Sequence, residues 1–207
     1  MTVTNSTFTG NTALIGGAIA AGKAVSVTNS TFTGNSAGLG GGAIYSDVGV
    51  SVAYSTFTGN TANAGSAIAT GQSGTIRVFG SVFVKPAGPS ALCVAGVPIT
   101  SFGYNYANET ANSCGLTATG DSSLDANDPL LGALANNGGP TQTQLPQTAS
   151  QLLNAIPSTA CQTAPLATGT TTDQRGLARP GPTGGACDIG AVEVQVTPVE
   201  KVINFTG

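Results

Sequence analysis

Histidine is absent from this sequence of 207 residues, and tryptophan is absent as well. Without histidine the chain has no Ser/His/Asp or Cys/His catalytic set, no histidine general base and none of the usual histidine-containing zinc sites. Its four cysteines contain no Cys-x-x-Cys pair, which argues against a zinc ribbon or a redox motif. No run of about 20 apolar residues occurs, so no membrane-spanning helix is predicted. The sequence gives no indication of a metal or an organic cofactor.

Charged residues are also scarce. They make up 7% of the chain, whereas an average soluble domain has about 25%. The formal net charge is -3, and only six Lys and Arg residues are scattered along the sequence. This distribution gives no basic patch for nucleic acid or an anionic membrane. The 30 glycines, with abundant Thr, Ser and Asn, indicate a β-rich extracellular protein.

The cysteines indicate an oxidising compartment, because an even number of well-separated cysteines suits disulfide bonds. Three connectivities exist for four cysteines, and their order along the chain favours Cys93 with Cys114 and Cys161 with Cys187. The repeat described below begins directly after Met1, without a basic start or an apolar signal segment. We therefore expect this chain to be part of a larger exported protein.

A repeat dominates the first half of the chain. The letters "VTNSTFTGN" stand at Val3–Asn11 and again at Val27–Asn35, and "VAYSTFTGN" stands at Val52–Asn60. Phenylalanine recurs at intervals of 24, 25 and 26 residues, at Phe8, Phe32, Phe57 and Phe83. The apolar residue that ends "GGAI" and its relatives recurs at 25, 24 and 24, at Ile19, Ile44, Ile68 and Leu92. Two independent sets of residues that recur with the same period indicate a structural repeat strongly.

Each repeat contains three short β-prone segments separated by Gly, Asn and Ser. Three strands and three turns in about 24 residues fit one coil of a parallel β-helix. The sequence thus predicts an all-β fold: a right-handed, single-stranded parallel β-helix of 24–25 residues per coil and four to five coils, over residues 1–105.

Strand alternation assigns the repeated letters to the two sides of a sheet. The phenylalanines should stack inside, and the asparagines that follow at the turn, Asn11, Asn35 and Asn60, should bond from coil to coil. The flanking threonines should face solvent: Thr7, Thr9, Thr31, Thr33, Thr56 and Thr58. This array resembles the Thr-x-Thr arrays of β-solenoid ice-binding proteins, but Thr is also the best polar residue for an exposed strand.

The motif pair "FTGN" and "GGAI" resembles the repeats of bacterial polymorphic outer-membrane proteins over residues 1 to about 92. From about residue 101 to 193, "NGGPT", "DQRGLARP" and "CDIGAVE" resemble the choice-of-anchor Q module of exported bacterial β-helix proteins. This resemblance implies location outside the cell or at the cell surface, and it matches the pair Cys161 and Cys187.

A β-helix needs cover at its ends, because its last coil exposes unpaired edge groups. We therefore expect residues 106–195 to form a loop-rich, disulfide-bonded cap at the C-terminal end, followed by a strand or tail at 196–207. The N-terminal end has no comparable segment in this sequence, which raises head-to-tail assembly of copies as an alternative.

Candidate catalytic or metal-binding groups are few. Within the coils the charged residues Lys23, Asp47, Arg77 and Lys85 fall in different segments. Glycoside hydrolysis requires paired carboxylates, and none is predicted on adjacent coils. A calcium loop at Asp121, Asp125 and Asp128 has no EF-hand spacing, so turn capping is the simpler interpretation.

A second charged group lies in the cap and consists of Asp173, Arg175, Arg179, Asp188 and Glu193. We interpret these residues as ion pairs that fix a loop-rich fold. The sequence as a whole predicts a non-catalytic surface or adhesive module that binds a carbohydrate or protein. The alternatives are a polysaccharide-degrading enzyme, an ice-binding protein and a fibre subunit.

Overall fold

The structure is a computed structural model that describes residues 1–109, 111–123, 128–181 and 185–195. These residues contain sixteen short strands and a single short helix, α1 (Ser158–Gln162). The predicted parallel β-solenoid is confirmed, with about four turns. The predicted tail at 196–207 lies outside the described residues.

The strands follow the same order around every coil. The first coil contains β1 (Thr2–Thr4), β2 (Thr7–Thr9), β3 (Thr12–Ile15) and β4 (Ile19–Ala21). The second contains β5 (Val25–Thr28), β6 (Thr31–Thr33), β7 (Ser36–Gly40) and β8 (Ile44–Ser46). The third contains β9 (Gly49–Ala53), β10 (Thr56–Thr58) and β11 (Ile68–Thr70). The fourth contains β12 (Thr75–Phe79), β13 (Val82–Val84) and β14 (Cys93–Val94), and β15 (Thr100–Ser101) and β16 (Tyr106–Ala107) begin a fifth.

Stacking of these coils produces three long parallel sheets. The order of neighbouring strands is β1-β5-β9-β12-β15 in the first sheet, β2-β6-β10-β13-β16 in the second and β4-β8-β11-β14 in the third. The strands pair at the period of the repeat, so that Phe8 lies opposite Phe32 and Ile19 opposite Ile44. The three sheets correspond to the three β-prone segments of each repeat. A further two-stranded sheet, β3 with β7, was not evident from the sequence.

The core lies inside the coils, where the phenylalanines of the second sheet stack as the alternation predicts. Ring centroids are 4.9 Å apart for Phe8 and Phe32, 4.8 Å for Phe32 and Phe57, and 5.2 Å for Phe57 and Phe83. Valines of the first sheet and isoleucines of the third complete this core. The aromatic stack ends where Ala107 lies opposite Phe83.

Residues 108–123, without the undescribed residue 110, close the C-terminal end of the coils. Cys114 and Leu116 join the coil core, and a disulfide bond links Cys114 to Cys93. The buried carboxylate of Glu109 accepts hydrogen bonds from the Leu92 backbone and from Ser113. Cys114 and Leu116 thus cover the apolar end of the coil core.

Residues 128–181 and 185–195, here called the lateral module, have a different position. They lie alongside the second sheet and build a second core with Tyr54 and Phe79, using Leu152, Ile156 and Ile189. The disulfide bond Cys161–Cys187 lies in this core, so both predicted cysteine pairs are formed. The prediction of one end cap over 106–195 is therefore wrong for most of that range, because the polar outer side of the second sheet offers this segment hydrogen-bonding partners.

Candidate functional site

The Thr-x-Thr array projects from the outer side of the second sheet, and the lateral module covers much of it. Thr9 is exposed, but the exposed fractions of Thr31, Thr56 and Thr58 are 0%, 2% and 8%. The prediction that all six threonines face solvent is thus wrong for these three, and Thr7 and Thr33 are only partly exposed. Strand alternation fixes the side of the sheet, but it does not fix what lies against that side.

Gln174 is the central contact between the module and the array. Its side-chain oxygen accepts a hydrogen bond from Thr31 Oγ1 at 2.7 Å, and its side-chain nitrogen donates to Thr7 Oγ1 at 2.8 Å. The same nitrogen donates to Thr141 Oγ1 at 2.9 Å. Gln174 is fully buried, so these bonds form away from bulk water. Buried polar groups of this kind are costly to leave unpaired.

Two further segments of the module cover the third coil. Thr58 Oγ1 lies 2.6 Å from the side-chain oxygen of Gln144, and Thr56 Oγ1 accepts a hydrogen bond from the Ala191 backbone at 3.0 Å. Gly190 has a φ of +105°, and a β-carbon there would lie 2.9 Å from Thr56 Oγ1. Close approach at this point therefore requires glycine.

Each of the first four coils is bonded to the module. Thr141 Oγ1 donates to the Asn5 carbonyl at 3.3 Å, and Asn29 Nδ2 donates to the Thr172 carbonyl at 2.7 Å. In the third coil the Tyr54 hydroxyl donates to the Cys161 carbonyl at 3.1 Å. In the fourth, the Gly80 carbonyl accepts from the Gly190 backbone at 2.9 Å. The lateral module is consequently bonded along these four coils.

Sequence reasoning did not identify the glutamines of this interface. A usable signal was present in "TQTQ" at residues 141–144, where the polar alternation is typical of an extended segment. Gln142 contributes only its backbone carbonyl, whereas Gln144 contributes its side chain. The letters of "DQRG" gave no indication that Gln174 would lie against the second sheet.

Serines of successive coils form a hydrogen-bonded ladder that we did not predict from the sequence. The backbone N–H of Ser6, Ser30 and Ser55 each donates to the serine hydroxyl of the next coil at 3.2 Å, and Ser81 donates to Asn105 Oδ1 at 3.0 Å. Each hydroxyl donates to the carbonyl two residues earlier, as Ser30 does to Thr28 at 2.9 Å. The sequence does contain a pattern that could have predicted this ladder, because a serine stands one residue before every "TFT" or "VFV" segment.

The predicted asparagine ladder is present at the next turn. Asn11 Nδ2 donates to Asn35 Oδ1 at 2.9 Å, and Asn35 Nδ2 donates to Asn60 Oδ1 at 2.9 Å. Asn35 Nδ2 also donates to the Phe8 carbonyl at 3.0 Å. Pro86 occupies the equivalent position in the fourth coil, so the series of asparagines ends at Asn60.

The charged residues of the coils do not form a paired-carboxylate site. Asp47 interacts with the Tyr45 hydroxyl, and this hydrogen bond, with a smaller effect of burial, raises the pKa of Tyr45. Arg77 lies on β12 of the first sheet, whereas Lys23 precedes β5 and Lys85 follows β13. Among the described residues no three His, Cys, Asp or Glu side chains come together as a metal site.

The proposed calcium loop is only partly visible, because Asp125 lies outside the described residues. Asp121 is a turn cap: its two carboxylate oxygens accept from the Asn105 backbone at 2.9 Å and the Ala118 backbone at 2.8 Å. It also accepts from Ser101 Oγ at 2.6 Å. Asp128 accepts from the Leu130 backbone at 2.9 Å. These contacts agree with turn capping.

The second charged group is a buried network inside the lateral module. Arg175 pairs with Asp173 at 2.8 Å, and Arg179 pairs with Glu193 at 3.4 Å. Arg179 also donates to the backbone carbonyls of Asp188 and Gly190 at 2.7 and 2.8 Å. Its guanidinium carbon lies 4.4 Å from the centroid of the Tyr54 ring. The network joins residues 173–179 to residues 188–193 and lies against Tyr54 of the third coil.

Burial controls the ionisation of this network. It raises the pKa of the Tyr54 hydroxyl to about 12, although the nearby Arg179 lowers it. It also raises the pKa of the Asp188 and Glu193 carboxyls, against the lowering effects of backbone hydrogen bonds and Arg179. Asp188 and Glu193 are each 2% exposed, so they are poorly placed to meet a large substrate.

The chain matches no protein-family model, no curated protein and no solved structure. Within the part of the chain that the structure describes, no helix is long and apolar enough to cross a membrane. The two disulfide bonds suit an oxidising, extracellular-type environment. Function must therefore be inferred from these surfaces and contacts.

Proposed function

We propose that this chain is a non-catalytic structural and adhesive module of an extracellular or bacterial cell-surface protein. The observation that carries the proposal is the bonding of one lateral module to each of the first four coils of the β-solenoid. A short solenoid exposes long runs of backbone to proteases and is stabilised mainly by neighbouring coils. A segment bonded along the stack opposes separation of the coils and favours a stiff, protease-resistant body.

Adhesive contacts would use the sheet faces that the module leaves uncovered. The outer side of the first sheet exposes Thr2, Thr4, Thr75 and Arg77. Ala20 is exposed and Tyr45 is partly exposed on the third sheet. These repeated small polar and apolar side chains offer hydroxyl groups and a shallow surface to a carbohydrate or a protein.

The alternative functions have weaker support. An ice-binding surface would need the threonine array, and three of its six members are buried beneath the module. Head-to-tail assembly by coil continuation would require displacement of Cys114 and Leu116, which pack on the end of the coil core. A polysaccharide-degrading activity would need acidic groups near one another on an open face, and the described carboxylates of the coils do not provide them.

Limited proteolysis combined with a polysaccharide assay tests the proposal. We expect the oxidised protein to resist proteinase K over residues 1–195, and Gln174→Ala to be cleaved faster. The same samples are incubated with acidic and neutral polysaccharides, and soluble reducing ends and unsaturated products are measured. Release of such products above a heat-denatured control would contradict the non-catalytic assignment. Rapid cleavage within the coils of the folded protein would contradict the stiff-body assignment.

A further inference from the structure

The third coil differs from the first two at one position next to the third sheet. Gly17 and Gly42 occupy this position in the earlier coils, whereas the third coil has Ser66. A β-carbon at Gly17 would lie 2.1 Å from the Gly42 carbonyl oxygen, and one at Gly42 would lie 2.1 Å from the Ser66 carbonyl oxygen. Neighbouring coils therefore leave no room for a side chain here. With Ser66 at this position, the third and fourth coils pair in a different register.

The backbone hydrogen bonds show this change in pairing. Gly17 donates to the Gly41 carbonyl at 3.0 Å and Gly42 donates to the Gly65 carbonyl at 2.9 Å. The same register would direct Ser66 to Pro89, but Ser66 donates to the Ala91 carbonyl at 2.7 Å. The pairing has moved by two residues at Ser66 and by one residue at Ile68, which lies opposite Cys93. The segment "KPAGPS" at 85–90, which replaces the repeat letters, forms a loop at this point.

A cavity of about 150 Å³ lies beneath this loop. Its walls are formed by Thr61, Ala62, Ser66, Lys85 and residues 86–90. Ser66 is 2% exposed, and its hydroxyl has no hydrogen-bonding partner among the described residues. An unpaired buried hydroxyl destabilises a fold, and this one belongs to a residue that lines the cavity.

Lys85 places a positive charge at the same cavity. Its Nζ atom donates to the Ser90 carbonyl at 3.3 Å, a long hydrogen bond to a neutral group. Both ion pairs found between described residues involve arginine, so Lys85 has no carboxylate partner within that part of the chain. The cavity thus combines a cation with an unpaired hydroxyl, and Ala62, Pro86 and Pro89 contribute apolar surface.

We propose that this cavity binds a small monocarboxylate with a short apolar body. The carboxylate oxygens accept hydrogen bonds from the Lys85 ammonium and the Ser66 hydroxyl, and the apolar part contacts Ala62 and the two prolines. An ammonium-to-carboxylate hydrogen bond is stronger than one between neutral groups. This inference is independent of the proposed structural and adhesive function.

Titration of the ¹⁵N-labelled full chain with butyrate tests the proposal by NMR. We expect saturable shifts of the backbone amides of Ser66, Lys85 and Gly88. Butyramide, which has the same shape without the charge, should bind roughly tenfold more weakly. Lys85→Met should weaken butyrate binding by a similar factor, and Lys23→Met, which removes an exposed lysine elsewhere, should not. Absence of local shifts with butyrate, or equal binding by Lys85→Met, overturns the proposal.

Ser66→Ala provides a second, separate test. Its hydroxyl has no hydrogen-bonding partner among the described residues, so its removal should leave the melting temperature unchanged or higher. Butyrate binding should nevertheless weaken several-fold, since one donor to the carboxylate is lost. A lower melting temperature with unchanged butyrate binding would show that Ser66 is a structural residue, and it would overturn the assignment of this cavity.

Discussion

In the coils, the phenylalanines, serines and asparagines of the buried ladders recur one coil away at the same position, whereas in the lateral module the polar contacts are single. Phe32, for example, stacks on an identical ring on both sides. Arg179, by contrast, makes its bonds to the carbonyls of Asp188 and Gly190 only once in the molecule. Because a repeated group in the middle of the stack has two identical neighbours and one at the end has a single neighbour, its contribution to stability should depend on its position along the stack.

The module is stabilised by burying charge, and the coils are stabilised by apolar stacking and backbone ladders. Low charge in the coils allows close stacking with little desolvation cost. The module has fewer regular strands, so its backbone relies on side chains such as Asp173, whose carboxylate accepts from the Leu177 and Glu193 backbones at 3.1 and 3.0 Å. Removal of one member of such a network leaves its partners buried and unpaired.

The largest expected effect comes from breaking the aromatic stack in the middle of the coils. Phe57→Ala should lower the free energy of unfolding by about 4 kcal/mol, because it leaves a cavity between two rings. Phe8→Ala, at the end of the stack, should cost about 2 kcal/mol, because Phe8 is partly exposed and stacks on one ring. Chemical denaturation of both variants measures the difference. Equal losses would contradict the dependence on position in the stack.

Breaking the buried network should have the next largest effect. Arg179→Met should cost about 3 kcal/mol, since Glu193 and two backbone carbonyls lose their partner while they stay buried. The matched control is Arg77→Met on β12, where the arginine is exposed, and its cost should stay below about 0.5 kcal/mol. Thermal unfolding followed by circular dichroism compares the two. A neutral Arg179→Met variant would show that the module is stabilised mainly by its apolar core.

The asparagine ladder offers a smaller comparison within the coils. Asn35→Ala should cost about 2 kcal/mol, because it removes the acceptor of Asn11 and the donor to the Phe8 carbonyl. Asn11→Ala should cost less than about 1 kcal/mol, because this side chain is at the exposed end of the ladder. Urea denaturation of the two variants provides the measurement. Identical costs would mean that the ladder is not cooperative along the stack.

The pH dependence of stability should differ between the two regions and is the smallest effect that we expect. The pKa values of Asp188 and Glu193 are raised by burial, so the folded state binds their protons more tightly than the unfolded state. Their stabilising contribution is complete below about pH 4, the ordinary range of these carboxyls, and it is lost as the pH rises through the raised values.

Melting temperatures recorded between pH 4 and pH 7 check this expectation. Glu193→Gln should melt at a lower temperature at acidic pH, because it loses a hydrogen-bond acceptor, but its melting temperature should fall less as the pH rises. Arg77→Met serves again as the control and should retain the slope of the original chain. Parallel curves for the original chain and Glu193→Gln would exclude Glu193 from the pH response.

The sequence by itself determined the coils. A period near 24 residues, phenylalanine between threonines, and asparagine at the turn were sufficient to predict parallel stacking, the inward rings and the asparagine ladder. These features are local: each strand segment repeats its neighbour, and alternation assigns each side chain to one side of a sheet. The two cysteine pairs also followed from their order along the chain.

Only the tertiary structure decided what lies against the outside of the coils. The sequence around Gln174 and Gly190 does not indicate that this segment contacts Thr31 and Thr56, because these contacts join residues more than 130 positions apart. The physical reason is that a polar strand face is equally compatible with water and with a segment whose glutamines and backbone groups replace that water. The threonines therefore belong largely to an internal interface.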